Sequence, residues 1–111
     1  MTSKEDLAAI VEKANSSPEV LKELSSWSKT FQFDVSDESP YYVSIDKGKV
    51  SLEDGKSSSA AATISATGSV LSELFSGNLN PVQAFMSGKL KVSGDVFSAQ
   101  KLTSIINKAR K

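Results

Sequence analysis

The apolar positions change period several times along the chain, and each change predicts a change of element. Over residues 3–14, Leu7, Ile10, Val11 and Ala14 recur on one side of a 3.6-residue period. Ser3 stands where a cap is needed, with Asp6 three residues on, as in a capping box. In "NSSPEVLKELSSW" the pattern restarts, with Ser17 as cap, Pro18 in the first helical position and Val20, Leu21 and Leu24 as the apolar stripe. Two short amphipathic helices are predicted. Each needs a surface to cover.

From Trp27 the period is two. Trp27, Phe31, Phe33 and Val35 fall on one side and Ser28, Thr30, Gln32 and Asp34 on the other. Lys29 breaks the apolar side, which an edge strand accommodates by snorkelling. After "SDESP", Tyr41, Val43 and Ile45 alternate with Tyr42, Ser44 and Asp46, and "DKGK" turns the chain. Val50 and Leu52 then alternate with Lys49, Ser51 and Glu53 up to a turn at Asp54-Gly55. The pattern predicts a three-stranded antiparallel meander with one dry and one wet face. A fourth strand, "AAATISAT", is built of small residues; Ala60, Ala62 and Ala66 leave space that Leu or Ile would fill.

Helical spacing returns in "TGSVLSELFSG", with Val70, Leu71, Leu74 and Phe75 and a stop at Gly77. Asn80 and Pro81 open another short helix carrying Val82, Phe85 and Met86, which ends at Gly88. Lys89-Leu90-Lys91-Val92 alternates as a strand whose lysines guard an edge. Gly94-Asp95 leads into a last helix with Val96, Ala99, Leu102, Ile105 and Ile106 inward, closed by the cations of "NKARK". This order predicts an α+β fold: one five-stranded, mostly antiparallel sheet with every helix on the face of Phe31, Phe33, Val43, Ile45, Val50, Leu52, Leu90 and Val92. The passage over residues 60–93 is long enough for a crossover, so the fifth strand is expected to run parallel to the fourth.

Composition narrows the chemistry. A length of 111 residues suits one domain, 1–111, and a hydrophobic fraction of 39% supports a core of modest size. The 13 basic and 13 acidic side chains cancel, which argues against nucleic acid as partner. With no cysteine and no histidine, disulfides, thiolate metal sites and a Ser-His-Asp triad are excluded. A metal would have only carboxylates to hold it; no cofactor and no catalytic residue is expected. Ser87-Gly88-Lys89 is the nearest hint of a Ser–Lys pair, and in so serine-rich a chain that adjacency is expected by chance. No apolar run approaches the ~20 residues of a membrane span, and "MTSKEDLAAIVEK" is too polar for a signal peptide. The expectation is a soluble, cytoplasmic monomer.

The segment "PVQAFMSGKLKVSGDVFSAQKL" resembles the C-terminal signature of sterol-carrier-protein-type lipid-transfer domains: a short helix, a Gly-Lys-Leu-Lys strand, a Gly-Asp turn and a helix carrying Lys-Leu. The element order, the Trp-led first strand and the Asp-Gly turn extend the resemblance over nearly the whole chain. It implies a non-enzymatic carrier that binds a fatty acid, fatty acyl-CoA, phospholipid or sterol in an apolar tunnel between sheet and helices, touching membranes transiently. The wall residues expected on that basis are Ala62, Val70, Leu71, Leu74, Phe75, Phe85, Met86, Phe97, Leu102 and Ile106. Unlike many eukaryotic members, which end in a peroxisomal tripeptide, this sequence ends Ala109-Arg110-Lys111, and peroxisomal import loses support. Two other readings stand beside this one. Apolar stripes at helical spacing also describe ordinary packing, and the same fold without lipid cargo would serve as a protein-interaction module.

Overall fold

Thr2, not Ser3, starts the first helix. In the computed structural model, which describes residues 2–110, the Thr2 hydroxyl accepts the Glu5 amide at 3.2 Å while the Glu5 carboxylate accepts the Thr2 amide at 3.2 Å, a reciprocal capping box ahead of α1 (Ser3–Asn15). Ser3 is instead fully buried. Its Oγ lies 2.7 Å from Glu38 Oε1 and 2.7 Å from the Tyr41 hydroxyl. The expected cap is thus drawn inward by a partner far along the chain, which local spacing does not reveal. α2 (Pro18–Leu24) follows with Ser17 as its cap, as the Ser-Pro pair predicts.

The five strands are β1 (Ser28–Val35), β2 (Tyr41–Asp46), β3 (Lys49–Asp54), β4 (Ala62–Ala66) and β5 (Lys91–Gly94), arranged β3-β2-β1-β4-β5. Between the last two lie α3 (Gly68–Ser76) and α4 (Pro81–Met86), and α5 (Val96–Arg110) closes the chain. The β1–β2–β3 meander is antiparallel, as the alternation predicts. Inward-facing Phe31, Phe33, Tyr41, Val43, Ile45, Ala62 and Ile64 are all buried beneath the helices. Phe33 stacks on Tyr41 at 5.3 Å and meets Phe75 edge-on at 5.8 Å, tying α3 to the middle of the sheet.

Further expectations are corrected. β5 runs antiparallel to β4, and the parallel pair is β1–β4. The passage after β4 holds two helices, which carry the chain out and back, so Lys91 returns opposite Ser65 near the end of β4 that the chain had left. The crossover lies earlier, in the short 55–61 segment between β3 and β4. It is short because β4 begins level with Phe31, only two residues behind the level of Phe33 and Tyr41 at which Asp54 ends β3. Gln32, expected on the wet face, is buried by this passage. Its amide nitrogen donates to Tyr41 O and Gly55 O at 3.1 Å each, and its oxygen accepts the Ser57 amide at 2.7 Å. Every polar atom of that side chain is used, so its burial carries little penalty.

A further correction concerns Lys29. β1 is the central strand and not an edge, so snorkelling past an edge does not explain the lysine. It sits at the start of the strand, where its ammonium reaches Asp95 Oδ2 at 3.6 Å.

Candidate functional site

α4 is a six-residue helix that its cap must hold in place. Asn80 Oδ1 accepts the amides of Val82 and Gln83 at 2.9 and 3.2 Å, and Pro81 presets the first helical turn. Of its residues only Ala84 is buried; Val82, Phe85 and Met86 are left exposed. After the helix, Lys89 and Leu90 both donate backbone amides to Ala84 O, which tucks Leu90 inward ahead of β5. β5 ends at Gly94, where φ is 92° and a Cβ would lie 2.5 Å from Ala61 O. Only glycine fits against β4 there. Asp95 then caps α5, its carboxylate accepting the Ser98 amide at 3.1 Å and the Ser98 hydroxyl at 2.7 Å. These bonds from Ser98, with the charge of Lys29 beside them, hold the Asp95 carboxyl below its ordinary range.

Together these elements enclose a hollow of about 300 Å³. Phe33, Ile64, Leu90 and Val92 form its floor, and Leu74 and Phe75 of α3 one wall. Pro81, Val82 and Phe85 of α4 face Val96, Ala99, Leu102 and Ile106 of α5, with Gln100 and Thr103 as the polar members of the lining. The Thr103 hydroxyl donates to the Gln100 carbonyl at 2.8 Å, so part of even this polarity is spent on the helix itself. Among the described residues no charged side chain borders the space. Among the described residues no group of three or more acidic side chains is placed to hold a metal ion. Such a space suits an apolar chain and offers it few polar contacts; its volume lies at the lower end of small-molecule sites.

A second, much smaller void of about 20 Å³ lies on the same side of the sheet, between α1, α5 and the β2–β3 strands. Leu102 and Ile106 border both spaces.

The expected wall residues divide evenly. Leu74, Phe75, Phe85, Leu102 and Ile106 line the hollow, whereas Ala62, Val70, Leu71, Met86 and Phe97 do not. Ala62 and Leu71 are buried in the packed core, and Val70 is half-buried. Met86 and Phe97 are 81% and 84% exposed. Each follows a residue that does face the hollow, and one helical step turns the next side chain by about 100°. Sequence reasoning missed Val96, Ala99, Gln100 and Thr103, which form one α5 face at i, i+3, i+4 and i+7. The inclusion of Gln and Thr hid that stripe from an apolar pattern. It also left Val92 in the core and did not single out Ile64, although the two are cross-strand partners on the floor.

A family model described as the SCP-2 sterol transfer family matches residues 7–107. Sterol carrier protein 2 of Rattus norvegicus is 36% identical over 80 residues, which cover 68% of this chain. The matched region is 15% of that protein's length, so the chain spans a small part of the curated relatives it matches. Among solved structures, a UbiJ-SCP2 ubiquinone synthesis protein superposes with a TM-score of 0.78 at 20% identity, covering 92% of this chain and 90% of that one. Sterol Carrier Protein-2 from Aedes aegypti, in complex with the C16 fatty acid palmitate, gives 0.75 at 18% identity, covering 96% and 94%. These two likenesses speak for the fold. With the family model spanning nearly the whole sequence, the chain belongs to the SCP-2 sterol transfer family.

Proposed function

We propose that the chain is one lipid-transfer-like domain over residues 1–111. It takes a fatty acid, fatty acyl-CoA, phospholipid or sterol into the hollow and carries it through the cytoplasm as a monomer, without catalysis. One observation carries this reading: a space of about 300 Å³, lined chiefly by apolar side chains and by no charged one among the described residues, opens between α4 and α5. Each methylene moved from water into such a space is worth about 0.8 kcal/mol, while moving it from a bilayer gains almost nothing. A carrier therefore needs an apolar hollow and few polar hooks, so that cargo is held against water and still released to a membrane. Gln100 and Thr103 are the polar contacts available to a ligand's head, and both are neutral.

The test is direct. The protein is examined by native mass spectrometry for co-purified lipid and titrated with a fluorescent fatty acid. The same titration is run on Ala99→Trp, which places an indole in the hollow from a residue of its wall. Stoichiometric binding by the parent and at least ten-fold weaker binding by a still-folded Ala99→Trp is the expected result. Equal affinity in both overturns the assignment of the hollow.

A further inference from the structure

β3 is the longer of the two edge strands, with six residues against the four of β5. An edge strand turns a row of backbone N–H and C=O groups outward, and such a row pairs readily with another strand. On β3 that row includes Val50. Its amide donates to Asn15 Oδ1 at 3.0 Å, and its carbonyl accepts from Asn15 Nδ2 at 2.8 Å. The side chain of Asn15, the last residue of α1, thus makes the two bonds that a residue of a neighbouring strand would make. Backbone groups two residues further along a strand point the same way, so Leu52 presents its N–H and C=O on the same edge.

The sequence of this strand, "KVSLED", is complementary to itself when run antiparallel. Setting Ser51 opposite Ser51 of a second copy places Val50 opposite Leu52 and Lys49 opposite Glu53, each twice about a two-fold axis. Residues opposite each other share a face of the sheet. Val50 and Leu52 lie on the core side, and Lys49 and Glu53 are exposed on the other. In this register Val50 and Leu52, whose backbone groups turn outward, also meet as hydrogen-bonded pairs. Apolar contact, opposite charge and backbone bonding agree on one alignment. Sliding one strand by two residues loses the Lys–Glu pairs.

For the parent chain the pairing brings no net hydrogen bond. Each of the two Val50–Leu52 pairs would make two backbone bonds, and each Asn15 would give up its own two. The exchange is even, while association still costs translational and rotational freedom. Without the Asn15 amide, the new bonds would displace only water.

We propose that Asn15 is a latch on β3 that keeps the chain from pairing, edge to edge, with a second copy of itself. The surface it holds shut fits one partner, the same strand of another molecule. This does not depend on what the hollow carries.

Sedimentation velocity is measured over a range of concentrations for the parent and for Asn15→Ala. Asn15 is exposed, so the fold should be kept, which thermal melting checks. The parent should remain a monomer, and Asn15→Ala should self-associate about ten-fold more tightly or better, several net hydrogen bonds being at stake. Asn15→Asp, which sets a carboxylate against the Val50 carbonyl, should associate as well; it decides the question if Asn15→Ala does not fold. Adding Lys49→Glu to the Asn15 variant puts like charges opposite each other and should return the monomer. Adding Glu53→Lys to that pair restores opposite charges and should return the dimer. A folded Asn15→Ala that stays monomeric overturns the latch, as does a parent that already dimerises through β3. Association that ignores both charge exchanges overturns the strand pairing.

Discussion

One face of one sheet is filled in two different ways. Over β2 and β3, α1 and α5 leave a void of about 20 Å³, enough for little more than one water molecule. Over β4 and β5, α3, α4 and α5 leave about 300 Å³. The packed side is also locked by polar bonds: Glu38 accepts the Ser3 amide and hydroxyl, and Ser3 meets Tyr41. The open side is bounded by a six-residue helix that buries one residue. A small domain cannot fill all its interior and also hold cargo. Here one half supplies the stability and the other keeps the space.

Substitutions can test that division. The largest effect is expected from Leu71→Ala, which empties a fully buried position of α3. It should cost about 2–5 kcal/mol, read as a shifted midpoint in urea unfolding. Tyr41→Phe comes next, removing the hydroxyl that meets Ser3 at 2.7 Å, at a cost of about 1 kcal/mol. Burial raises the Tyr41 phenol well above its ordinary range. Its contribution is therefore complete below the unfolded tyrosine pKa of about 10 and lost as pH rises past it. Tyr41→Phe should accordingly flatten the alkaline limb of the stability profile.

Phe85→Ala should cost less than about 1 kcal/mol, because the ring is already 47% exposed and borders empty space. A loss of core size there would mean that α4 is packed and the contrast is false. The smallest effect belongs to Asp95→Asn. Its carboxyl is held low by Ser98 and Lys29, so it stabilises above the unfolded carboxyl pKa and ceases to do so as pH falls through the lowered value. The variant should show a slightly lower melting temperature at neutral pH and a shallower fall in acid.

What could be read in advance follows distance along the chain and not the division between packed and open sides. The meander, the Ser17-Pro18 and Asn80-Pro81 helix starts and the Gly77 stop were legible, because each rests on neighbours in sequence. Gly77, at φ 85°, ends α3 in the left-handed conformation that its residue type implies. Ser3, Gln32 and Lys29 were misread because each is set by a partner distant in sequence: Glu38, the 55–61 crossing and Asp95. The direction of β5 depended on how two helices return the chain, which length alone does not tell. The candidate wall was half legible. An apolar stripe shows that a helix has an inward face, but a hollow is defined by what fails to fill it, and that depends on several elements at once.

The β1–β4 pairing has a kinetic consequence. The meander closes through short turns, whereas β4 can pair only with a β1 already in place, and β5 only with β4. Local pairings form faster than distant ones because less chain entropy is lost before contacts form. The half that holds the hollow should therefore assemble late, on a finished template. In hydrogen exchange, amides of β1 and β2 should be the last to exchange, and those of α4 and β5 among the first.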